Sequence, residues 1–183
     1  MIIAVTGTPG TGKTTVAEAL AEELGYEHVD VNAVAEQDRV ATGEDAERGA
    51  TAVDVDSLVD ALHDVVGADA VLDGHLAHHF PADLTVVLRC APHELRARLR
   101  DRGWSEEKVE ENVEAEALDL VLQAAVAERD RVVELDTTGE EPADVVDAVL
   151  EAVRADDIPG ALRPGHIDWD VVENVDETGH GTV

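Results

Sequence analysis

Lysine, cysteine and aromatic residues are scarce in this chain of 183 residues. The single cysteine, Cys90, excludes an internal disulfide, and we expect it to be a buried spectator thiol in a cytoplasmic protein. No apolar run approaches the ~18 residues that a membrane-spanning helix needs. The first residues also lack the basic segment and cleavage site of a signal peptide, so we expect neither secretion nor membrane insertion.

Positive charge is scarce as well: 13 Lys and Arg residues face 42 Asp and Glu residues, which gives a net charge of −29. This balance excludes an extended basic surface for nucleic acid, and no direct DNA binding is expected. The chain is nevertheless 44% hydrophobic, in periodic runs, which argues against an acidic disordered protein. Because the Debye length falls to about 3 Å at 1 M salt, the composition predicts a halophilic, folded protein adapted to concentrated salt.

The most informative motif is a glycine-rich segment that reads Gly-Thr-Pro-Gly-Thr-Gly-Lys-Thr from Gly7 to Thr14. It matches the phosphate-binding pattern G-x-x-x-x-G-K-[ST] at every defining position. An apolar run at 2–5 precedes it and a helical pattern over 13–24 follows, so strand, turn and helix occur in the order that a P-loop requires. The context favours an ATP site over a chance glycine-rich turn.

Each residue type in this segment suits polyphosphate binding. Gly7, Gly10 and Gly12 let backbone N–H groups close around the phosphates at a helix N-terminus. Lys13 is predicted to reach the β- and γ-phosphates, and the Thr14 hydroxyl is predicted to ligate Mg²⁺.

The other apolar runs alternate with helical patterns, which predicts an α/β protein with helices on both faces of a parallel sheet. We expect a P-loop NTPase fold with five strands, and analogy with such folds gives the expected strand order 2-3-1-4-5. The predicted strands lie at 2–5, 28–31, 70–72, 84–88 and 132–135, and the predicted helices at 13–24, 56–66, 92–101, 107–128 and 143–154.

Three segments depart from this alternation. Residues 30–53 are polar and poor in bulky apolar side chains, and residues 101–108 form a charged connection between two helices. Both are candidates for moving parts. Residues 156–183 contain most of the prolines and glycines of the C-terminal region and are predicted to be an irregular acidic tail.

A second motif of phosphate chemistry is the apolar strand that ends in Asp73. A carboxylate there can hold Mg²⁺ beside Thr14, directly or through water. His75 follows and is predicted to order water or a phosphate oxygen. Together with His78 and His79 it also allows a metal site, although the absence of a supporting Cys or carboxylate pattern favours ordinary loop histidines.

The densest basic patch lies on the predicted helix over 92–101 and just after it. It consists of Arg96, Arg98, Arg100 and Arg102. We expect Arg102 to offset charge on the transferred phosphoryl group, and at least one of the other three arginines to be structural.

Two features follow this patch in the sequence. Trp104 either covers the adenine or fills a gap. The acidic helix face over 110–116 is expected to be solvated, with Val113, Leu118 and Val121 turned inward.

Taken in order, the motifs resemble those of the adenylate kinase isoenzyme 6 family, an archaeal and eukaryotic nuclear branch of the nucleoside monophosphate kinases. The similarity covers roughly residues 2–155 and implies one kinase domain over 1–155, with a monophosphate-binding region at about 30–53 and a lid at about 101–111. The motifs are Thr6–Thr15, Leu72–His75, and Arg102–Lys108 followed by Asn112.

The resemblance implies transfer of the γ-phosphate of ATP to AMP, intrinsic ATPase activity and a need for Mg²⁺. It also implies association with a small-subunit ribosomal protein and a role in small-subunit rRNA maturation. Asp73 and His75 correspond to the family's Walker B Asp-x-His. Its ATP contacts correspond to Gly10, Gly12, Lys13, Thr14, Thr15 and Arg102.

One departure concerns the acceptor. This chain has Ala35-Glu36-Gln37 where the family has an arginine. Arg39 and Arg48, in the same region, are candidates to bind the AMP phosphate, but the AMP contacts are not assigned.

Three functions stay open. They are an adenylate kinase, an ATP-hydrolysing assembly switch with little kinase activity, and a kinase acting on a sugar, an acid or a dephospho-coenzyme. The last fits the fold but not the lid motif.

Overall fold

The computed structural model describes residues 1–37, 41–45 and 50–169. Short 3₁₀ turns occur at Ala77–His79 and Gly160–Leu162. The strands are β1 (Ile2–Gly7), β2 (Glu27–Asp30), β3 (Ala41–Asp45), β4 (Ala50–Val53), β5 (Ala70–Asp73), β6 (Leu84–Arg89) and β7 (Val132–Asp136). The helices are α1 (Lys13–Leu24), α2 (Val31–Gln37), α3 (Val55–Val65), α4 (Pro92–Asp101), α5 (Glu106–Ala117), α6 (Leu120–Glu128) and α7 (Pro142–Arg154).

The central sheet has five parallel strands in the order β2-β5-β1-β6-β7. Counting only the strands of this sheet, the order is 2-3-1-4-5, which confirms the predicted topology. In the register of the sheet, Val5 pairs with Asp73 and Arg89 pairs with Asp136. The polar residues that end the strands therefore meet at one edge, where ligands bind in open α/β sheets.

The core consists of apolar layers on both faces of the sheet, as buried parallel strands require. Ile3 and Val5 contribute to the layer that includes α1 and α7. Ala4, between them in β1, contributes to the layer that includes α3 and Phe80. Successive side chains of β1 thus enter opposite layers, and the small Ala and Val residues allow the helices to pack closely.

Two predicted segments differ from the structure. The described part of the segment at 30–53 contains α2 and the antiparallel pair β3–β4, which the sequence pattern did not indicate. The predicted helix over 107–128 is two helices, because Asp119 has a left-handed backbone with φ 56° and begins α6 on a new axis. Leu118, expected to point inward, is 54% exposed at this break.

The start of the predicted tail packs on the body of the protein. Ile158 and Leu162 lie against the core layer of α1 and α7. Trp169 is buried, and the guanidinium of Arg89 lies 5.4 Å from the centroid of its ring. The part of the tail beyond residue 169 lies outside the described residues.

Within the described ranges, the helices are too short or too polar to cross a membrane.

Candidate active site

The phosphate loop, residues 7–14, joins β1 to α1 and is built closely against its neighbours. A Cβ at Gly7 (φ +144°) would lie 2.3 Å from the carbonyl oxygen of Leu88. A Cβ at Gly10 (φ +99°) would lie 2.7 Å from the Leu95 side chain. A side chain at either position would clash and strain the backbone, so both glycines are needed for the path of the loop.

The loop ends at the N-terminus of α1, and it leaves backbone donors available. Gly12 occupies the cap position, and in the described part of the chain no side chain caps this helix. The first N–H groups of a helix have no partner within it and carry a partial positive charge. They can therefore bind phosphate oxygens, as the motif predicts.

Lys13 lies within the loop that it is predicted to serve. Its ammonium donates a hydrogen bond to the carbonyl of Thr8 at 3.0 Å. The pKa of Lys13 is lowered to about 8, mainly by desolvation and also by the charge of Arg102, while Asp73 and Glu116 oppose the shift. A phosphate bound beside this desolvated lysine would add negative charge and favour the ammonium form.

The Thr14 hydroxyl and Asp73 are brought together by α1 and β5. Asp73 is 4% exposed and shares a side-chain hydrogen bond with Thr14. Burial raises the pKa of Asp73, whereas the Thr14 hydrogen bond and the charges of Lys13 and His28 lower it. A hydroxyl and a carboxylate are hard oxygen donors, so the pair has the chemistry that Mg²⁺ prefers.

His75 lies beside this pair, within electrostatic reach of Lys13. Its carbonyl accepts a hydrogen bond from the Thr6 hydroxyl at 3.1 Å, which fixes the backbone after Asp73. Its side chain reaches solvent. Desolvation, followed by the charges of Lys13 and His79, lowers the pKa of His75, so a neutral imidazole faces the site.

His78 and His79 form a separate cluster with Glu128. Their ligand atoms lie within 4.8 Å of one another, which would allow a metal ion. Hydrogen bonds account for the same geometry: His78 Nδ1 lies 3.1 Å from the Thr6 hydroxyl, and His79 Nδ1 lies 2.9 Å from Glu128. The Arg129 guanidinium, 3.6 Å from the Glu128 carboxylate, disfavours a cation there. We therefore interpret the two histidines as anchors of the loop after β5.

Three arginines of the patch form ion pairs with glutamates. Arg96 pairs with Glu110, and Arg100 pairs with Glu106 and Glu110, which ties α4 to α5. The Arg98 side chain pairs with Glu94 and also donates to the Thr137 carbonyl at 2.8 Å.

Arg102 differs from the other three arginines: it is exposed and, among the described residues, makes no ion pair. Its charge nevertheless acts on Lys13. The guanidinium of Arg102 is therefore accessible, whereas Arg96 and Arg100 hold α4 against α5.

The remaining predicted residues have distinct positions. Thr15 is exposed on the first turn of α1, beside the loop. Trp104 packs with the apolar cluster between α4 and α5, and the Lys108 ammonium lies 4.5 Å from the centroid of its ring. Cys90 is buried, and desolvation raises its pKa to about 12, as expected for a spectator thiol. Arg39 and Arg48 lie outside the described residues.

Sequence reasoning missed a set of buried polar residues beneath the loop. The Thr137 hydroxyl lies 3.0 Å from the Thr11 carbonyl and 2.8 Å from the Arg89 carbonyl. Glu116, assigned to a solvated face, is 2% exposed and accepts a hydrogen bond from the Thr8 hydroxyl at 2.5 Å. The sequence signal that could have indicated this buried set was Arg89, a charged residue at the end of the apolar strand β6.

Comparison with known sequences identifies close relatives over nearly the whole chain. Residues 3–119 match the AAA domain family. A Thermococcus kodakarensis protein named "Putative adenylate kinase" is 44% identical over 173 residues, covering 94% of each chain. A protein of the same name from Natronomonas pharaonis is 46% identical over 160 residues, covering 85% of this chain and 93% of its own.

Comparison with solved structures supports the fold. The shikimate kinase of Bacteroides thetaiotaomicron superimposes with a TM-score of 0.56 at 22% identity, covering 85% of this chain and 99% of that one. A deoxyadenosine kinase from M. mycoides gives a TM-score of 0.57 at 15% identity, covering 84% and 98%. Both proteins are kinases by name, and at these sequence identities the similarity shows a shared fold.

Proposed function

Because the chain belongs to the adenylate kinase-like family, we propose that it transfers the γ-phosphoryl group of ATP to AMP and forms two molecules of ADP. The observation that carries the proposal is the convergence of Lys13, Thr14 and Asp73 at the N-terminus of α1. This arrangement supplies a cation, a hydroxyl and a carboxylate around one phosphate position. Phosphoryl transfer needs positioning and charge compensation more than covalent chemistry.

In this proposal, each residue has one role. The backbone N–H groups of the loop hold the phosphates of ATP, and Lys13 exchanges the Thr8 carbonyl for the β- and γ-phosphate oxygens. Thr14 and Asp73 would hold Mg²⁺, which supplies charge compensation at the phosphates when bound. Arg102, on the lid segment at 101–111, approaches the transferred group from the opposite side, and closure of the lid excludes water.

AMP is proposed as the acceptor because the relatives carry adenylate kinase names. We propose that it binds in the region at 30–53, which contains α2 and the antiparallel pair β3–β4. Arg39 and Arg48 are proposed to contact its phosphate. Closer membership of the isoenzyme 6 branch is proposed on the motifs Leu72–His75 and Arg102–Lys108.

We further propose intrinsic ATPase activity and a role in small-subunit ribosome maturation. The exposed His75 beside Asp73 can order a water molecule when AMP is absent. A net charge of −29 suits binding of a basic ribosomal protein rather than rRNA itself. Co-elution of the chain with that protein in size-exclusion runs at 1–3 M salt is expected; separate elution would contradict this role.

The proposed kinase activity is tested by measuring ADP formed from ATP and Mg²⁺ at high salt, with and without AMP. The expected result is a large AMP-dependent rise with two ADP per ATP consumed, lost by at least about 100-fold in Lys13→Ala because the phosphates lose their main cation. Slow hydrolysis that is independent of AMP, and also lost in Lys13→Ala, would favour the assembly switch instead.

A further inference from the structure

Glu116 is a buried carboxylate on α5, whose other glutamates are exposed. It is 2% exposed, and each of its oxygens accepts hydrogen bonds from another part of the protein. One oxygen accepts from the Thr8 hydroxyl of the phosphate loop at 2.5 Å. The other accepts from the Arg89 Nε at 2.7 Å and from the backbone N–H of Cys90 at 3.2 Å. Glu116 thus joins α5, the loop and the end of β6.

The arginine that pairs with Glu116 is itself enclosed by acidic groups. Arg89 is 1% exposed and also pairs with Glu134, at 2.5 Å, and with Asp119. Buried ion pairs contribute little net stability, because an apolar cluster of the same volume often serves as well. Replacing Glu116 alone by an apolar residue would leave the Arg89 Nε, the Cys90 N–H and the Thr8 hydroxyl without this acceptor. Of these three donors Thr8 belongs to the phosphate loop, so its contact with Glu116 is the one that can act on the ATP site.

Thr8 connects this contact to the phosphate site. Its carbonyl accepts the Lys13 ammonium at 3.0 Å and the Thr11 hydroxyl at 2.9 Å, so its peptide group orients both residues. A charged acceptor on the Thr8 hydroxyl makes a hydrogen bond roughly twice as strong as a neutral one, which fixes the side chain in one rotamer. The orientation of the loop peptide therefore depends on Glu116.

We propose that Glu116 is a positioning residue for ATP, which holds the Thr8 peptide and, through it, Lys13 in the geometry that receives the phosphates. Because the proposed lid at 101–111 includes the first turns of α5, the same contact ties the phosphate loop to the helix that carries part of the lid. The proposal rests on the proposed function in that ATP is the ligand of the loop. It does not depend on the identity of the acceptor.

The test is a double-mutant cycle read by the Kd for Mg-ATP, measured by equilibrium dialysis at high salt. In Glu116→Gln the amide oxygen stays with Arg89 and Cys90, so the amide NH₂ faces Thr8 and the charged acceptor is lost. Both Glu116→Gln and Thr8→Val are expected to weaken ATP binding about 10-fold. Because they remove the same contact, the double variant should bind within about 3-fold of the weaker single variant.

Two further variants separate positioning from folding. Glu134→Gln removes a carboxylate from the same Arg89 without touching Thr8, and should lower the melting temperature while leaving the Kd for ATP within about 3-fold of the original. Thr8→Ser restores the hydroxyl and should recover most of the affinity that Thr8→Val loses. If Glu116→Gln does not fold, the comparison of Thr8→Val with Thr8→Ser still tests the contact.

Three results would overturn the proposal. The first is a Kd for ATP in Glu116→Gln that is no higher than the Kd in Glu134→Gln. The second is additivity of Glu116→Gln and Thr8→Val in the free energy of ATP binding. The third is an affinity of Thr8→Ser for ATP that is no better than that of Thr8→Val. Failure of the proposed kinase function is distinguishable: ATP would then still bind, with Lys13→Ala weakening it, while no phosphoryl group reached AMP. The cycle would remain readable in that case.

Discussion

The charge state of Lys13 governs the affinity of the free site for phosphate. Desolvation lowers its pKa from 10.5 to about 8, so the ammonium is largely present at neutral pH and is lost as the pH rises through 8. The unfolded chain retains the proton up to 10.5, so between these values it binds more protons than the folded protein. The contribution of Lys13 to the free energy of unfolding therefore increases with pH across that window.

The expected consequence is a decline of kcat/KM for ATP above about pH 8, with a single inflection near that value. The measurement is kcat/KM from pH 6.5 to 9.5 at constant high salt. Lys13→Arg, which keeps its charge throughout, is the matched control. It should lose activity overall but show no inflection near pH 8. An inflection that persists in Lys13→Arg would assign the titration to another group.

Among the structural elements, the break between α5 and α6 is the least expected feature. Asp119 adopts φ 56° and its carboxylate pairs with Arg89. Asp tolerates the left-handed region because its short polar side chain can bond locally, whereas Ala does not. The break turns the chain so that Glu116 faces the phosphate loop while Leu122 and Ala125 of α6 pack under β6 and β7.

A pair of substitutions at Asp119 tests this account. Both Asp119→Gly and Asp119→Ala lose the ion pair, but only Ala also has to adopt a strained backbone. Asp119→Ala should therefore be less stable than Asp119→Gly by about 1 kcal/mol, despite the greater flexibility of Gly in the unfolded chain. Denaturant unfolding at high salt measures the difference. Equal stability of the two variants, or a more stable Ala variant, would mean that the left-handed turn is not required.

The elements that follow from local pattern were predictable, and those that depend on distant partners were not. Helices α1, α4 and α7 follow from apolar periodicity and from the P-loop, and the strand order follows from analogy with other folds of this class. The break at Asp119 was not predictable, because the apolar pattern continues across it. Glu116 resembles its acidic neighbours in sequence, and only the approach of Thr8 and Arg89 from other elements distinguishes it. Long-range hydrogen bonds have no periodic signal.

At the scale of the whole molecule, the net charge of −29 dominates the dependence on solvent. At 0.1 M salt the Debye length is about 10 Å and surface carboxylates repel one another, whereas at 1 M it is about 3 Å. We expect the melting temperature to rise by on the order of 10 °C between 0.1 M and 2 M KCl, because screening relieves this repulsion in the compact state.

Sucrose at matched osmolality is the control for general exclusion of cosolutes from the protein surface, since it stabilises folded proteins without screening charge. It should produce a much smaller rise than KCl. A melting temperature that does not change with KCl, or that rises equally in sucrose, would contradict adaptation to concentrated salt.

The measurement that tests the central claim most directly is the fate of the terminal phosphate of ATP labelled at the γ-position. The reaction is run with Mg²⁺ and AMP at high salt, and the nucleotides are separated from inorganic phosphate. The account predicts that the label appears in ADP, that it does so only when AMP is present, and that Lys13→Ala abolishes the transfer. Label found only in inorganic phosphate, at a rate that AMP does not change, would contradict the assignment as an adenylate kinase.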